Sequence, residues 1–269
     1  MYTRMSKLAL DLFEEKNWMD LAEFTGDNFY KNWNYSIDRE LEKKDAHAKE
    51  EGHFGFIPSD PLYFIDFMLE FVKLFPDKDL NKVKFIDVGS GHGDKVFLAG
   101  LFGLDSYGIE YTKETFYFST ILLGRLLRNK LIHIYRQDGD EREVFKFHNS
   151  YEKYDWKHNW EKNTDEKITE KQENISLING DAIEFDYSEF DLIYTYQPII
   201  DDKFLRKLYE RIRDTMKVGA YWFEVSDYRR SQLLGLREKH LLVTKNRLGK
   251  LAGIKSFDNI PHTPHNPNR

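Results

Sequence analysis

The chain has 269 residues, 41% apolar, 16% aromatic and 32% charged, which is too apolar for a disordered chain and too charged for a membrane-embedded one. It contains no cysteine, which excludes disulfides, thiolate nucleophiles, sulfur-based zinc or iron–sulfur sites and cysteine-adduct methylation of a base. With no thiol the chemistry rests on oxygen and nitrogen groups, and the net charge of −6 supplies no global attraction to nucleic acid, which leaves only a local basic patch to provide one.

At the N-terminus, Arg4 and Lys7 ahead of Leu8, Ala9 and Leu10 imitate a signal peptide, but Asp11, Glu14 and Glu15 break the apolar run. The longest uncharged stretches, such as Val96 to Leu104, reach about half a membrane span, so a cytoplasmic protein with no membrane partner is expected. Residues 1–52 read as an N-terminal helical region: Leu8, Leu12 and Phe13 stand at helical spacing, Glu40 and Lys44 pair four apart within a helix over 37–51, and Gly52 ends it. Residues 53–61 form a loop rich in turn formers. Leu62, Ile65, Leu69 and Val72 then mark an amphipathic helix closing near Pro76.

From Val83 the pattern changes to apolar runs of strand length alternating with helical segments: a strand over 83–88, a helix over 95–102, a strand over 106–109 and a helix over 114–128. Such alternation implies βαβ units and a parallel sheet. Between about 130 and 174 it is interrupted by a densely charged stretch carrying Tyr135, Phe145, Phe147, Tyr151, Tyr154, Trp156 and Trp160. This stretch is read as an insertion, too aromatic for a plain linker and too long for a connection. Strands over 175–178 and 191–196 follow. After them come a helix from Asp201 with Phe204, Leu205, Leu208 and Ile212 on one face, a stop at Gly219, a strand over 220–225, and a final hairpin or strand pair from 241–244 and 251–254. The main domain is expected over 53–260, with a mobile tail at 261–269. From Arg229 to Lys255 the chain is strongly basic, a solvated surface by default and otherwise a docking face for an acidic protein or nucleic acid.

The most informative segment is Phe85-Ile86-Asp87-Val88-Gly89-Ser90-Gly91-His92-Gly93-Asp94. A buried strand runs into Gly-x-Gly-x-Gly and then a helix, which lets backbone approach a ligand where a Cβ would intrude. The spacing differs from the dinucleotide fingerprint, and Asp87 just before the first glycine repels phosphate and suits a ligand carrying positive charge. Glu110 ends the next strand and offers a carboxylate to ribose hydroxyls. The plainer readings are a tight turn with no ligand, a solvated strand end at Glu110 and a turn cap at Asp181. His92 is read as an exposed loop residue rather than a base.

Together these residues resemble the class I S-adenosylmethionine (SAM) dependent methyltransferases over roughly 54–225, the insertion excepted. Asp87 to Gly93 looks like the family's first motif and Glu110 like its ribose-binding acid. Asn179-Gly180-Asp181-Ala182 is similar to the adenine-binding motif, and Asp191 to Pro198 takes the place of the strand facing the transferred methyl. The resemblance implies a Rossmann-like, doubly wound, mostly parallel seven-stranded α/β sheet and SAM as cofactor. The cofactor-binding residues it implies are Asp87, Gly89, Ser90, Gly91, Gly93, Glu110, Tyr111, Asp181, Ala182 and Gln197, and no metal is required. The loop from Phe54 to Pro61 resembles, more weakly, the cofactor-covering segment of some seven-β-strand protein-lysine methyltransferases, which adds Phe56, Pro58 and Ser59.

The expected function is methyl transfer to an amine or hydroxyl acceptor, with protein lysine somewhat ahead of a small molecule and both ahead of nucleic acid. Tyr-Gln-Pro-Ile at 196–199 departs from the Asn/Asp-Pro-Pro-aromatic motif of enzymes acting on exocyclic base nitrogens. Tyr194 and Tyr196 are the candidate catalytic residues, taken to alternate faces so that one borders the methyl channel and the other packs on a helix. Alternatives are a protein that binds SAM without using it and an aminopropyl transferase, the latter disfavoured because no carboxylates for a polyamine are identifiable.

Overall fold

The computed structural model describes residues 4–30, 59–126, 131–136, 142–146, 174–196, 202–225 and 241–257. The chain begins with α1 (Arg4–Glu14) and α2 (Trp18–Phe29), the second capped by Asn17. Phe13 and Trp18 close edge-on and face-on over Phe102, at 4.9 and 6.1 Å between ring centroids, and so fasten the pair to the body of the fold. The expected helix over 37–51, Gly52 and the tail from 261 lie outside the described residues.

Helix α3 (Pro61–Leu74) starts where Asp60 accepts the Leu62 N–H at 2.9 Å and Pro61 fits the first turn. Its buried stripe is Phe64, Ile65, Phe67, Met68 and Phe71, whereas Leu62, Leu69 and Val72 are only half-buried. The stripe expected from the aliphatic residues is therefore rotated toward the phenylalanines, because the larger rings bury more apolar area. Phe67 stacks on Phe223 with centroids 3.9 Å apart.

The remaining elements are β1 (Lys84–Val88), α4 (Asp94–Leu101), β2 (Asp105–Glu110), α5 (Lys113–Leu126), β3 (Leu131–Arg136), β4 (Arg142–Lys146), β5 (Ile175–Asn179), β6 (Leu192–Tyr196), α6 (Asp202–Thr215), β7 (Tyr221–Val225), β8 (Leu241–Lys245) and β9 (Leu251–Ser256). The sheet has nine described strands in the order β4-β3-β5-β2-β1-β6-β7-β8-β9. All seven strands read from the sequence are present. Two more, β3 and β4, pair with each other and extend the sheet from within the stretch set apart as an insertion. Strands β3, β5, β2, β1, β6 and β7 run parallel, while β4, β8 and β9 are antiparallel to their neighbours.

One face of the sheet packs against α3, α4 and α5, over which α1 and α2 lie, and the other against α6. This is a doubly wound, Rossmann-like arrangement, and burial on both faces explains why the central strands read as near-continuous apolar runs. The order runs outward in both directions from β1, to β2 and β5 on one side and to β6 and β7 on the other. The crevice beyond the C-terminal ends of β1 and β6 is thus where an open α/β sheet places a ligand.

Tyr194 and Tyr196 are two apart on one strand and share a face, contrary to the alternation expected, since side chains repeat every second residue. Tyr194 lies at the centre of the core beneath α3, and Tyr196 packs against the same core. It is Thr195 that points the other way, where it accepts the Trp222 Nε1–H at 2.9 Å and donates to the buried Glu224, which also accepts from Tyr209. Within the basic segment, Lys245 donates to the carbonyls of Arg213, Asp214 and Met216 at the end of α6, and Lys255 pairs with Glu70.

Candidate active site

The glycine loop turns β1 into α4 by means of left-handed backbone at Gly89, Gly91 and Gly93, with φ of 75°, 52° and 84°. These are conformations that L side chains rarely hold. The loop is tied to β2 by two N–H groups, those of Gly89 and Ser90, both donating to the Ile109 carbonyl at 2.9 and 3.0 Å. The approach is close enough that β2 must itself carry a glycine: a Cβ at Gly108 lies 2.7 Å from both Ser90 Oγ and Val96 Cγ2.

Glu110, at the end of β2, accepts the Gly91 N–H on Oε2 at 3.0 Å and the Thr112 N–H on Oε1 at 2.9 Å. The Thr112 hydroxyl and the Tyr111 N–H are further donors to this carboxylate. Burial among protein atoms raises the carboxyl's pKa, and these backbone donors oppose the rise. Asn179 joins β5 to the same corner by donating to the carbonyls of Glu110 and Tyr111 at 2.9 and 3.1 Å. Asp181 accepts the Ile183 N–H at 2.8 Å, a turn cap, and Ala182 offers its carbonyl to the Tyr187 hydroxyl at 2.7 Å.

Behind the loop lies a buried polar cluster. Asp87 is pushed up to about 8 by burial, with Asp94 and Glu110 adding to the rise and Lys95 opposing it. Asp94 Oδ2 accepts from the Tyr30 hydroxyl at 2.5 Å and the Lys95 ammonium at 2.6 Å. Burial and the neighbouring Asp94 also raise Tyr30 well above the ordinary phenol range. His92 is buried at 1% exposure, not exposed as expected. A carbonyl only accepts, so His92 Nδ1 donates to Phe29 O at 2.9 Å; the ring meets Phe118 edge-on at 4.7 Å, and burial lowers its pKa to about 4. The small glycines on either side let the imidazole turn inward under α2.

Tyr194 lies in the electrostatic field of Asp87 and Asp94, and burial raises its pKa far above the usual value. Tyr196, nearer the rim, is raised to about 12 by burial and by Asp60. The Tyr194 hydroxyl, Ser59 Oγ, Ser90 Oγ and Asp94 Oδ1 are buried without a hydrogen-bond partner among the described residues. Buried polar atoms are seldom left so.

The structure therefore brings Asp87, Gly89, Ser90, Gly91, Gly93, Glu110 and Tyr111 to one corner at the C-terminal ends of β1 and β2. Asp181 and Ala182 follow β5, and Tyr194 and Tyr196 stand on β6. Phe56, Pro58 and Gln197 lie outside the described residues. Sequence reasoning assigned no role to Tyr30, Asp94, Lys95, Gly108 or Asn179. Asp94 and Lys95 were findable as the two charges opening the otherwise apolar Val96–Leu101 run, whereas nothing local marks Tyr30. Among the described residues no three His, Asp or Glu side chains are placed to hold a metal ion, and no helix is long and apolar enough to cross a membrane.

No protein-family model and no curated protein sequence matches the chain. Among solved structures it is similar to the glycopeptide N-methyltransferase MtfA complexed with SAM, at 13% identity over 69% of this chain and 62% of that one, with a TM-score of 0.37. It is also similar to an RNA methyltransferase from Salinibacter ruber in complex with S-adenosyl-L-homocysteine, at 16% identity over 63% of this chain and 76% of that one, TM-score 0.38. A third is the CcbJ methyltransferase from Streptomyces caelestis, at 8% identity over 74% of this chain and 54% of that one, TM-score 0.39. The chain thus spans less than two thirds of MtfA and of CcbJ. Likeness at this level carries nothing about the reaction.

Proposed function

We propose that the chain is a SAM-dependent methyltransferase that transfers a methyl group to an amine or hydroxyl acceptor, with protein lysine ahead of a small molecule. The observation that carries the reading is the corner where Glu110 receives the Gly91 N–H: a glycine loop stripped of Cβ atoms faces a carboxylate, the kind of acceptor a ribose diol takes. The surroundings fit a cationic cofactor. Asp94 and Glu110 outnumber Lys95, Asp87 adds a carboxyl that a cation would ionise, and buried acceptor atoms stand unpaired.

When bound, SAM supplies an activated methyl on a sulfonium, taken in line by the acceptor's lone pair while the C–S bonding pair stays on sulfur. The chain's own part is to orient and to manage protons. Glu110 and the Cβ-free glycine loop receive the nucleoside, while α3 and the aromatic core around Tyr194 exclude water on the acceptor side. A lysine acceptor must first lose a proton, at a cost of about 4–5 kcal/mol at pH 7 from a pKa near 10.4. Asp87, raised to about 8 and so protonated at pH 7 in the ligand-free chain, can take that proton once the cationic cofactor has ionised it. Tyr196, nearer the rim, is the wall for the acceptor's stem, and Tyr194, fully buried in the core, supports it from beneath.

The test is incubation of the purified chain with methyl-labelled SAM and cell lysate. Label in nuclease-resistant protein, recovered as methyl-lysine, is the expected result. Label confined to small molecules moves the acceptor to that class. Tight SAM binding with no transfer to any fraction makes the chain a non-catalytic SAM-binding protein.

A further inference from the structure

The two oxygens of the buried Asp94 carboxylate are in different situations. Oδ2 is taken by the Tyr30 hydroxyl at 2.5 Å and the Lys95 ammonium at 2.6 Å, and Lys95 donates in turn to the Tyr30 hydroxyl at 3.0 Å. Oδ1 is equally buried and has no partner among the described residues, a state that is unfavourable until a donor arrives from outside.

The kind of donor follows from charge and geometry. Asp87 lies within electrostatic reach of Asp94, and Glu110 within reach of Asp87, so an arriving cation gains from Glu110 and from the Asp87 carboxyl it helps to ionise, where a neutral N–H gains neither. A guanidinium binds best to both oxygens side by side, and Oδ2 is already shared by Tyr30 and Lys95. A metal ion needs several ligands, and no such group stands among the described residues. A compact ammonium needs one free oxygen and brings one positive charge.

We propose that Asp94 Oδ1 binds a primary alkylammonium group, with Tyr30 and Lys95 acting as positioning residues that hold the carboxylate by its other oxygen. The inference rests on the methyltransferase reading, within which this chemistry has two sources: the amino-acid end of the cofactor and an amine acceptor. Helix α2 becomes a wall of the site rather than an appendage, because its last residues deliver Tyr30 to Asp94 and the Phe29 carbonyl to His92.

The test is calorimetric titration of the whole chain, as wild type, Asp94→Asn and Tyr30→Phe. The probes are S-adenosylhomocysteine, methylthioadenosine, which shares the nucleoside and thioether but lacks the ammonium, and n-butylamine added to nucleoside-saturated protein. If the cofactor is the source, Asp94→Asn weakens S-adenosylhomocysteine about tenfold or more and leaves methylthioadenosine unchanged. If the acceptor is the source, the loss falls on n-butylamine instead. Tyr30→Phe shows a smaller loss with the same selectivity, a pattern that general destabilisation does not produce, and it decides the matter if Asp94→Asn does not fold. Equal losses for all probes, or none, overturn the inference. Failure of wild type to bind either nucleoside strikes the methyltransferase reading, and n-butylamine titrated into wild type and Asp94→Asn then decides the ammonium site alone.

Discussion

The Gly91 N–H donates to Glu110 Oε2 at 3.0 Å, so the carboxylate proposed to hold the ribose also sets the shape of the glycine loop beside it. Glu110→Ala removes both functions and is expected to weaken S-adenosylhomocysteine by roughly 2 kcal/mol or more. Glu110→Gln, which keeps one acceptor oxygen, falls between. Calorimetry showing unchanged affinity in a folded Glu110→Ala variant takes this residue out of the site.

Gly108 faces the loop from β2 with no room for a methyl group, since a Cβ there meets Ser90 Oγ and Val96 Cγ2 at 2.7 Å. Gly108→Ala is expected to destabilise the fold by about 1–3 kcal/mol through overpacking, read as a lower urea midpoint. A midpoint equal to wild type contradicts the close approach of loop and strand.

Folded His92 titrates near 4 against 6.5 unfolded, because burial penalises its charged form. The unfolded chain therefore binds the proton first as pH falls. Stability from this group is complete above about 6.5 and declines toward 4, by about 2 kcal/mol at pH 5. Urea unfolding of wild type and His92→Gln at pH 7 and pH 5 isolates the group. Wild type is expected to lose more on acidification, and equal losses count against a buried neutral imidazole.

Asp87 carries the opposite sign. Its folded value is raised from 3.8 to about 8, so the native state holds a proton that the unfolded chain has lost, and that contribution fades as pH rises toward 8. A cationic ligand favours the ionised carboxylate. SAM binding at pH 7 should accordingly release a proton and tighten toward pH 8, seen as binding heats that vary with the buffer's ionisation enthalpy. Heats independent of buffer, in wild type and Asp87→Asn alike, rule out this coupling.

Much of the fold was legible because burial on both faces writes the central strands as apolar runs: Phe85 and Ile86 face opposite cores and neither position tolerates a polar residue. The glycine loop was legible because left-handed backbone leaves few residue choices. The strand pair β3–β4 was missed although Leu131 to Tyr135 is an uncharged, β-branched run, because the charges that follow from Arg136 led the whole stretch to be read as an insertion. The inward turn of His92 and the reach of Tyr30 to Asp94 were not legible at all. Both depend on where α2 lands, 64 residues away in the chain for the Tyr30–Asp94 bond, and no local pattern encodes a contact at that range.

The most direct test of the account is one titration of SAM into wild type and Gly91→Val. The loop at Gly91, with φ of 52°, has neither the backbone conformation nor, on this account, the space for a branched side chain. Saturable single-site binding to wild type, lost in a Gly91→Val variant whose circular dichroism is native, is the predicted result. No saturable binding to wild type, or equal binding to both proteins, contradicts it.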